Sequence, residues 1–208
     1  DDADLHGLRC WGVAVTGSSF QHANLYRGQL GPGTYPRPSS WTGVDLRRAD
    51  LRGTHAGARF ERVDFRNAKF GGTDWGWSDL VDCTFAGVVQ GLTVGSLPLA
   101  DRPAGWTLTG VDLTAARPRD LTLIGVELGA PGVDVRLPAD DEHWTLPDWP
   151  AFLGRVATAL AELPDDEHTA VARVWLEFAH RNTGPAQRAG FIAVRDVLSV
   201  GGQVLIDT

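Results

Sequence analysis

Large apolar residues recur at every fifth position through the first two thirds of this chain, and that spacing limits the fold more than any other feature. In VDLRRADLRG (44–53), Leu46 and Leu51 are each preceded by Asp and, one residue earlier, by a small apolar residue. A helix returns to one face every three or four residues and a strand every second, so a period of five belongs to neither. Taking the large residue as a centre, centres fall at Leu5, Cys10, Val15, Phe20, Leu25 and Leu30, then at Trp41, Leu46 and Leu51. They continue at Phe60, Phe65, Phe70, Trp75, Leu80 and Phe85, with a second set at Leu108, Leu113, Leu123, Leu128 and Val133. Two residues before most centres sits a small side chain, as at Ala23, Val44, Ala49, Ala58, Val63, Ala68 and Cys83.

Such a repeat fits a coil with a side and a corner for each pentapeptide, so that four pentapeptides make a turn of about twenty residues. Successive turns would pair backbone to backbone at about 4.8 Å. The centre and the small residue point inward, and the other three face water. One turn alone leaves its apolar face uncovered, so stability requires a stack of turns.

The pattern resembles the pentapeptide-repeat protein family, whose motif reads A(D/N)Lxx. HANLYRGQL, GVDLRRADLRG, ERVDFRNAKFGGTDW and GVDLTAA carry the resemblance, which extends with interruptions over about residues 3–135. It implies a mainly β fold, a right-handed quadrilateral β-helix over 1–137; the residue spacing beyond it adds a small α-helical C-terminal cap or interaction module over 138–208.

The twenty-residue turn gives a first alignment of the irregular parts. Phe20 to Trp41 is 21 residues and Trp41 to Phe60 is 19, so GPGTYPRPSS (31–40) reads as one distorted side rather than a long insertion. Phe85 to Leu108 is 23, which predicts a bulge of about three residues in 88–106. The resulting stacks are Leu5, Leu25, Leu46, Phe65, Phe85, Leu108 and Leu128 on one side, and Phe20, Trp41, Phe60, Leu80 and Leu123 on another. Six to seven turns would form a rod on the order of 30 Å long.

After Leu137 the spacing becomes helical. Trp149, Phe152, Leu153, Val156, Leu160 and Leu163 form one apolar stripe, Val171, Val174, Trp175 and Phe178 a second, and Phe191, Val194, Val197 and Leu198 a third. Pro164, Gly184-Pro185 and Gly201-Gly202 separate them. Acidic residues open the second helix and His180-Arg181 close it, as the helix dipole favours. The three helices are expected to cap the last coil or to serve as a dimerisation or partner-binding module, with a homodimer through them as one outcome.

Few features suggest catalysis. The six histidines and two cysteines show neither HExxH nor CxxC spacing, and there is no GxSxG or phosphate-binding GxxxxGK(S/T). The cluster Asp140, Asp141, Glu142 and His143 reads as a solvated acidic loop before a helix. The expectation is a protein that is not an enzyme, with no cofactor and no metal site. Cys10 and Cys83 fall on inward positions several layers apart, and reduced buried thiols suit the cytoplasm. No run of about 18 apolar residues marks a membrane span. The sequence contains no Met, so its natural start is expected upstream of Asp1.

Function is therefore sought on the surface. Residues one and two places after the centres face outward. The alignment above stacks His6, Tyr26, Arg47 and Arg66 beside Gly7, Arg27, Arg48 and Asn67, with Arg52 around the next corner. Tyr26, Arg27, Arg47, Arg48, Arg52 and Arg66 are the candidate binding residues, because Arg with Tyr is enriched at interfaces and guanidinium groups read planar anions. The alternative is that Asp45 and Asp64 neutralise the arginines in ordinary surface pairs. The pentapeptide-repeat resemblance also brings a second possibility, since the family includes DNA-mimicking proteins that bind type II topoisomerases such as DNA gyrase. Such mimicry needs negative potential along the coil. Here residues 1–137 hold 15 acidic and 14 basic side chains, a balance of −1, whereas 138–208 hold 11 and 5, a balance of −6. The preferred expectation is a non-catalytic scaffold that binds a protein partner. Topoisomerase binding comes second, and direct nucleic-acid binding is disfavoured by the small basic patch and the negative net charge.

Overall fold

A computed structural model describes residues 1–31, 38–95, 107–123, 126–183 and 190–193. The chain is mainly β with two helices towards its C-terminus. It divides into two compact units, Asp1–Val126 with Gly132–Pro138, and Glu127–Pro131 with Ala139–Thr208.

The first unit is built from short parallel strands and single bridges that stack one turn of chain on the next, in the manner of a β-solenoid. Four columns run through it. Val15, Trp41, Phe60, Leu80 and Leu108 are register partners in a five-stranded sheet. The bridges Ser19–Asp45–Asp64–Thr84 carry Phe20, Leu46, Phe65 and Phe85 as the next residues along. Asp4–Asn24–Asp50–Lys69 carry Leu5, Leu25, Leu51 and Phe70, and Arg9–Gln29–His55–Asp74 carry Cys10, Leu30, Ala56 and Trp75. This last column continues through Val94 to Leu123.

The predicted inward positions are inward. Leu25, Leu30, Trp41, Leu46, Leu51, Phe60, Phe65 and Trp75 are fully buried, as are the small Ala23, Ala49 and Cys83 two places before their centres. Aromatic rings pack both between and within turns, with Phe65 stacked on Phe85 of the next turn at 4.8 Å and Phe60 on Trp75 of its own turn at 4.8 Å. Leu5, Cys10, Val15 and Phe20, in the first turn, are only partly buried.

Several corners are hydrogen-bonded turns. The carbonyls of Phe20, Leu25, Leu46 and Phe65 accept from the N–H three residues on, at 3.1, 2.8, 3.1 and 3.0 Å. The residue two places after each of these centres, His22, Arg27, Arg48 and Asn67, has φ between 56° and 59°. A turn of this kind requires positive φ at its third residue, and glycine fills the equivalent place after Leu5 and Leu51 as Gly7 and Gly53.

The register differs from the predicted alignment at both irregular segments. Ser19 bridges Asp45 and Asn24 bridges Asp50, 26 residues apart, whereas Asp4 and Asn24 are 20 apart. The turn that contains 31–40 is therefore six residues longer than a regular one, and the segment is not a single side of ordinary length; residues 32–37 lie outside the described residues, and Ser39 and Ser40 open the strand Ser39–Thr42. The 19-residue interval from Trp41 to Phe60 is kept in the ladder, where Asp45 likewise pairs with Asp64. The second irregularity is also longer than predicted, since Leu108 pairs with Leu80, 28 residues earlier; residues 96–106 lie outside the described residues. Consequently Leu46 stacks with Phe20 rather than Leu25, Leu108 with Leu80 rather than Phe85, and Leu123 with Val94 rather than Leu80. Leu128 belongs to the second unit.

In the second unit, α1 (Trp149–Glu162) begins at an Asp148 cap whose carboxylate accepts from Ala151 N at 3.0 Å, with Pro150 in its first turn. Its predicted stripe, Trp149, Phe152, Leu153, Val156 and Leu160, is buried. Asp166 caps α2 (Glu167–Asn182) by accepting from Thr169 N at 2.8 Å, and Glu167 and His180-Arg181 sit at the dipole ends expected of them. The second stripe is rotated from the prediction. Val171, Val174 and Phe178 are 53%, 68% and 64% exposed, while Ala172 and Ala179 are buried beside partly buried Trp175 and Leu176. Small alanines let two helix backbones approach, so the narrow face packs and the bulkier one faces out. Phe191 lies not on a third helix but on the strand Gly190–Ala193, antiparallel to His143–Leu146. Val194, Val197 and Leu198 lie outside the described residues.

Candidate functional site

The corrected register divides the six candidate residues between two neighbouring columns. Tyr26, Arg27 and Arg52 share one with His6. The backbone N–H of Arg27 donates to the Arg52 carbonyl at 3.0 Å, and that of Gly7 to the Tyr26 carbonyl at 2.9 Å. The His6 and Tyr26 rings stack at 5.5 Å, and the guanidinium carbons of Arg27 and Arg52 lie 5.2 and 5.6 Å from the Tyr26 centroid. These distances are in the range of cation–π attraction. Arg52 thus sits over Tyr26 one turn on, not around the next corner.

Arg47, Arg48 and Arg66 occupy the second column. His22 N donates to the Arg47 carbonyl and Arg48 N to the Arg66 carbonyl, both at 3.1 Å. Together with Gln21 and Asn67 these arginines line a surface depression of about 250 Å³. Asn67 was placed in the predicted ladder and stays in it. Gln21 was missed; the signal that could have found it is its position directly after the centre Phe20, once the longer turn is recognised.

A repeated local device fixes the arginines. In Asp45-Leu46-Arg47, Asp50-Leu51-Arg52 and Asp64-Phe65-Arg66 the centre is buried and its two neighbours point out on either side of it. The Asp carboxylate accepts from the Arg backbone N–H at 3.0, 3.2 and 3.0 Å. It also accepts from the guanidinium: Arg47 Nη2 to Asp45 at 2.7 Å, Arg52 Nη2 to Asp50 at 2.6 Å and Arg66 Nη2 to Asp64 at 2.5 Å. Arg47 Nε lies 3.7 Å from Asp64 on the next turn, and Gln21 Nε2 donates to Asp45 at 2.8 Å. The Arg47 side chain beside Asp45 and the Arg52 side chain beside Asp50 hold both carboxyls below their ordinary range. The expected neutralising pairs are therefore present, and they also orient the arginines. A guanidinium has five N–H donors, and a fork to one carboxylate leaves about three of them facing out. Arg48 has no ion-pair partner among the described residues.

The other candidates are resolved locally. Asp79 is the register partner of Arg59, and Glu61 pairs with both Arg59 and Arg62. His143 Nδ1 lies 2.9 Å from Asp140, with its ring stacked on Phe191 at 4.8 Å. Among the described residues, no group of three His, Cys, Asp or Glu side chains is placed to hold a metal ion, and no helix is long and apolar enough to cross a membrane.

No curated protein sequence matches the chain. The family model described as pentapeptide repeats (8 copies) matches residues 58–88, the stretch in which Phe60, Phe65, Phe70, Trp75, Leu80 and Phe85 follow one another at five-residue intervals. Residues 58–88 are thus a run of pentapeptide repeats.

Proposed function

We propose that the first unit is a right-handed quadrilateral β-helix that serves as a non-catalytic scaffold for a protein partner, through the two arginine-bearing columns. The observation that carries this reading is the threefold Asp-centre-Arg clip. It displays guanidinium donors at fixed heights on hydrogen-bonded rungs, so little side-chain order remains to be imposed when a partner docks. Arg27 and Arg52 around Tyr26 add the aromatic and cationic composition typical of interface anchors. The partner is proposed to meet this protein in the cytoplasm. Both cysteines are free, which suits a reducing compartment.

The same clips weigh against DNA mimicry as the first reading, because Asp45, Asp50 and Asp64 each hold an arginine. The test is affinity capture from a lysate of the source organism, with wild type beside an Arg27→Glu, Arg48→Glu variant of unchanged circular dichroism and melting temperature. We expect a partner enriched by wild type and lost with the variant. Equal capture by both would overturn the reading. In the presence of purified DNA gyrase, supercoiling is expected to be unchanged by the protein; inhibition or protection would favour the topoisomerase reading instead.

A further inference from the structure

We propose that the depression lined by Gln21, Arg47, Arg48, Arg66 and Asn67 is a receptor for carboxylate side chains, so that the docking segment of the partner is an acidic peptide. The inference rests on the scaffold reading and names the chemistry of its partner. The depression holds about 250 Å³, room for one or two carboxylate groups with their stems and too little for a folded element. Its charge comes from three arginines against Asp45 and Asp64, a balance of +1, on a segment whose overall balance is −1. Attraction is therefore local and short in range.

The donors are arranged for a planar anion. Arg47 and Arg66 stand on successive rungs, about 4.8 Å apart, each held by its own Asp through Nε and Nη2. Their remaining N–H bonds face the depression, because the fork to the Asp consumes the opposite edge. Arg48 has no anionic partner among the described residues and sits at a left-handed corner (φ 59°). Gln21 is anchored by Asp45 at 2.8 Å, and Asn67 supplies a further amide. A single carboxylate spans two guanidinium groups at this spacing, and an extended acidic peptide presents its next same-face carboxylate about 7 Å on. A long polyanion such as nucleic acid would need a longer basic track than +1 provides.

The test uses a fluorescein-labelled hexaglutamate peptide, with hexaglutamine as its neutral counterpart, titrated into the full chain by fluorescence anisotropy at low salt. Wild type is expected to bind hexaglutamate and not hexaglutamine, with binding weakened by added salt. Arg48→Gly keeps the corner conformation and removes the guanidinium; it should weaken binding about tenfold, the scale of one charged hydrogen-bonding group. Arg48→Lys should lose less, and Arg119→Gln, on the strand Val111–Arg119 away from the depression, should change nothing. The proposal is overturned if wild type binds the two peptides alike, if Arg48→Gly binds as wild type does, or if a single-stranded deoxynucleotide of equal charge displaces hexaglutamate at lower concentration. Partner capture that survives Arg48→Gly would also overturn it while leaving the scaffold standing. Absence of any specific capture by wild type would overturn the scaffold reading itself.

Discussion

At the scale of single residues, the corner position two places after each centre governs both fold and surface. It demands positive φ, which costs a non-glycine residue about 1–2 kcal/mol. Gly17 (φ 54°) has open space where a Cβ would project, so Gly17→Ala isolates this backbone term. We expect a loss of about 1 kcal/mol in urea denaturation. At Gly91 (φ 61°) the added Cβ would stand 3.1 Å from Gly72 N and 3.4 Å from Gly71 Cα. Those backbone atoms are fixed by the ladder, so Gly91→Ala should lose distinctly more than Gly17→Ala. Arg27 and Arg48 occupy corners despite this cost, and that is where their side chains become the outermost groups of their turns.

At the scale of the element, the repeating unit is the Asp-centre-Arg clip on its rung. Asp50 accepts from Arg52 through both backbone and side chain, and its folded carboxyl lies below the ordinary range. A depressed carboxyl contributes stability that is fully present above its unfolded pKa and is lost as pH falls through the folded one. The denaturation midpoint of wild type should therefore hold from neutral pH to about 4 and fall below it. Asp50→Asn removes this titration. Its midpoint should be lower than that of wild type at pH 7, and the difference should shrink by pH 3. The clips are partly exposed, so each effect is modest, but Asp45 is lowered in the same way beside Arg47 and adds to the acid limb.

At the scale of the whole molecule, stability in the first unit passes from turn to turn, since each turn buries its apolar side chains only against its neighbours. Phe65 is fully buried and touches Phe60, Phe70, Trp75 and Phe85 through ring contacts between 4.8 and 6.3 Å. Phe65→Ala should destabilise by about 3–5 kcal/mol. Phe20→Ala, in the partly buried first turn, should cost less. Urea denaturation followed by near-ultraviolet circular dichroism reads both. The charge is also distributed by unit-sized segments, with −1 over residues 1–137 and −6 over 138–208, so a surface receptive to anions can exist on a chain of net charge −7.

The five-residue period by itself determined which side chains turn inward, because it is a local property of each pentapeptide: a buried centre, a small partner and a corner that admits positive φ. The helical spacing after Leu137 likewise determined α1, whose predicted apolar stripe is buried. Which pentapeptides stack on one another was decided only by the tertiary structure. Vertical register depends on whether an irregular segment spends its residues along a side or outside the stack, and 31–40 could be counted either way until the ladder put Asp45 over Ser19. That choice moved Arg52 onto Tyr26, brought Gln21 to Arg47 and created the depression. The face predicted for α2, Val171, Val174, Trp175 and Phe178, is not the packed one, for a related reason. Val171, Val174 and Phe178 are more apolar than Ala172 and Ala179, but close approach of two helices rewards small side chains, and only the packed pair reveals which requirement prevailed.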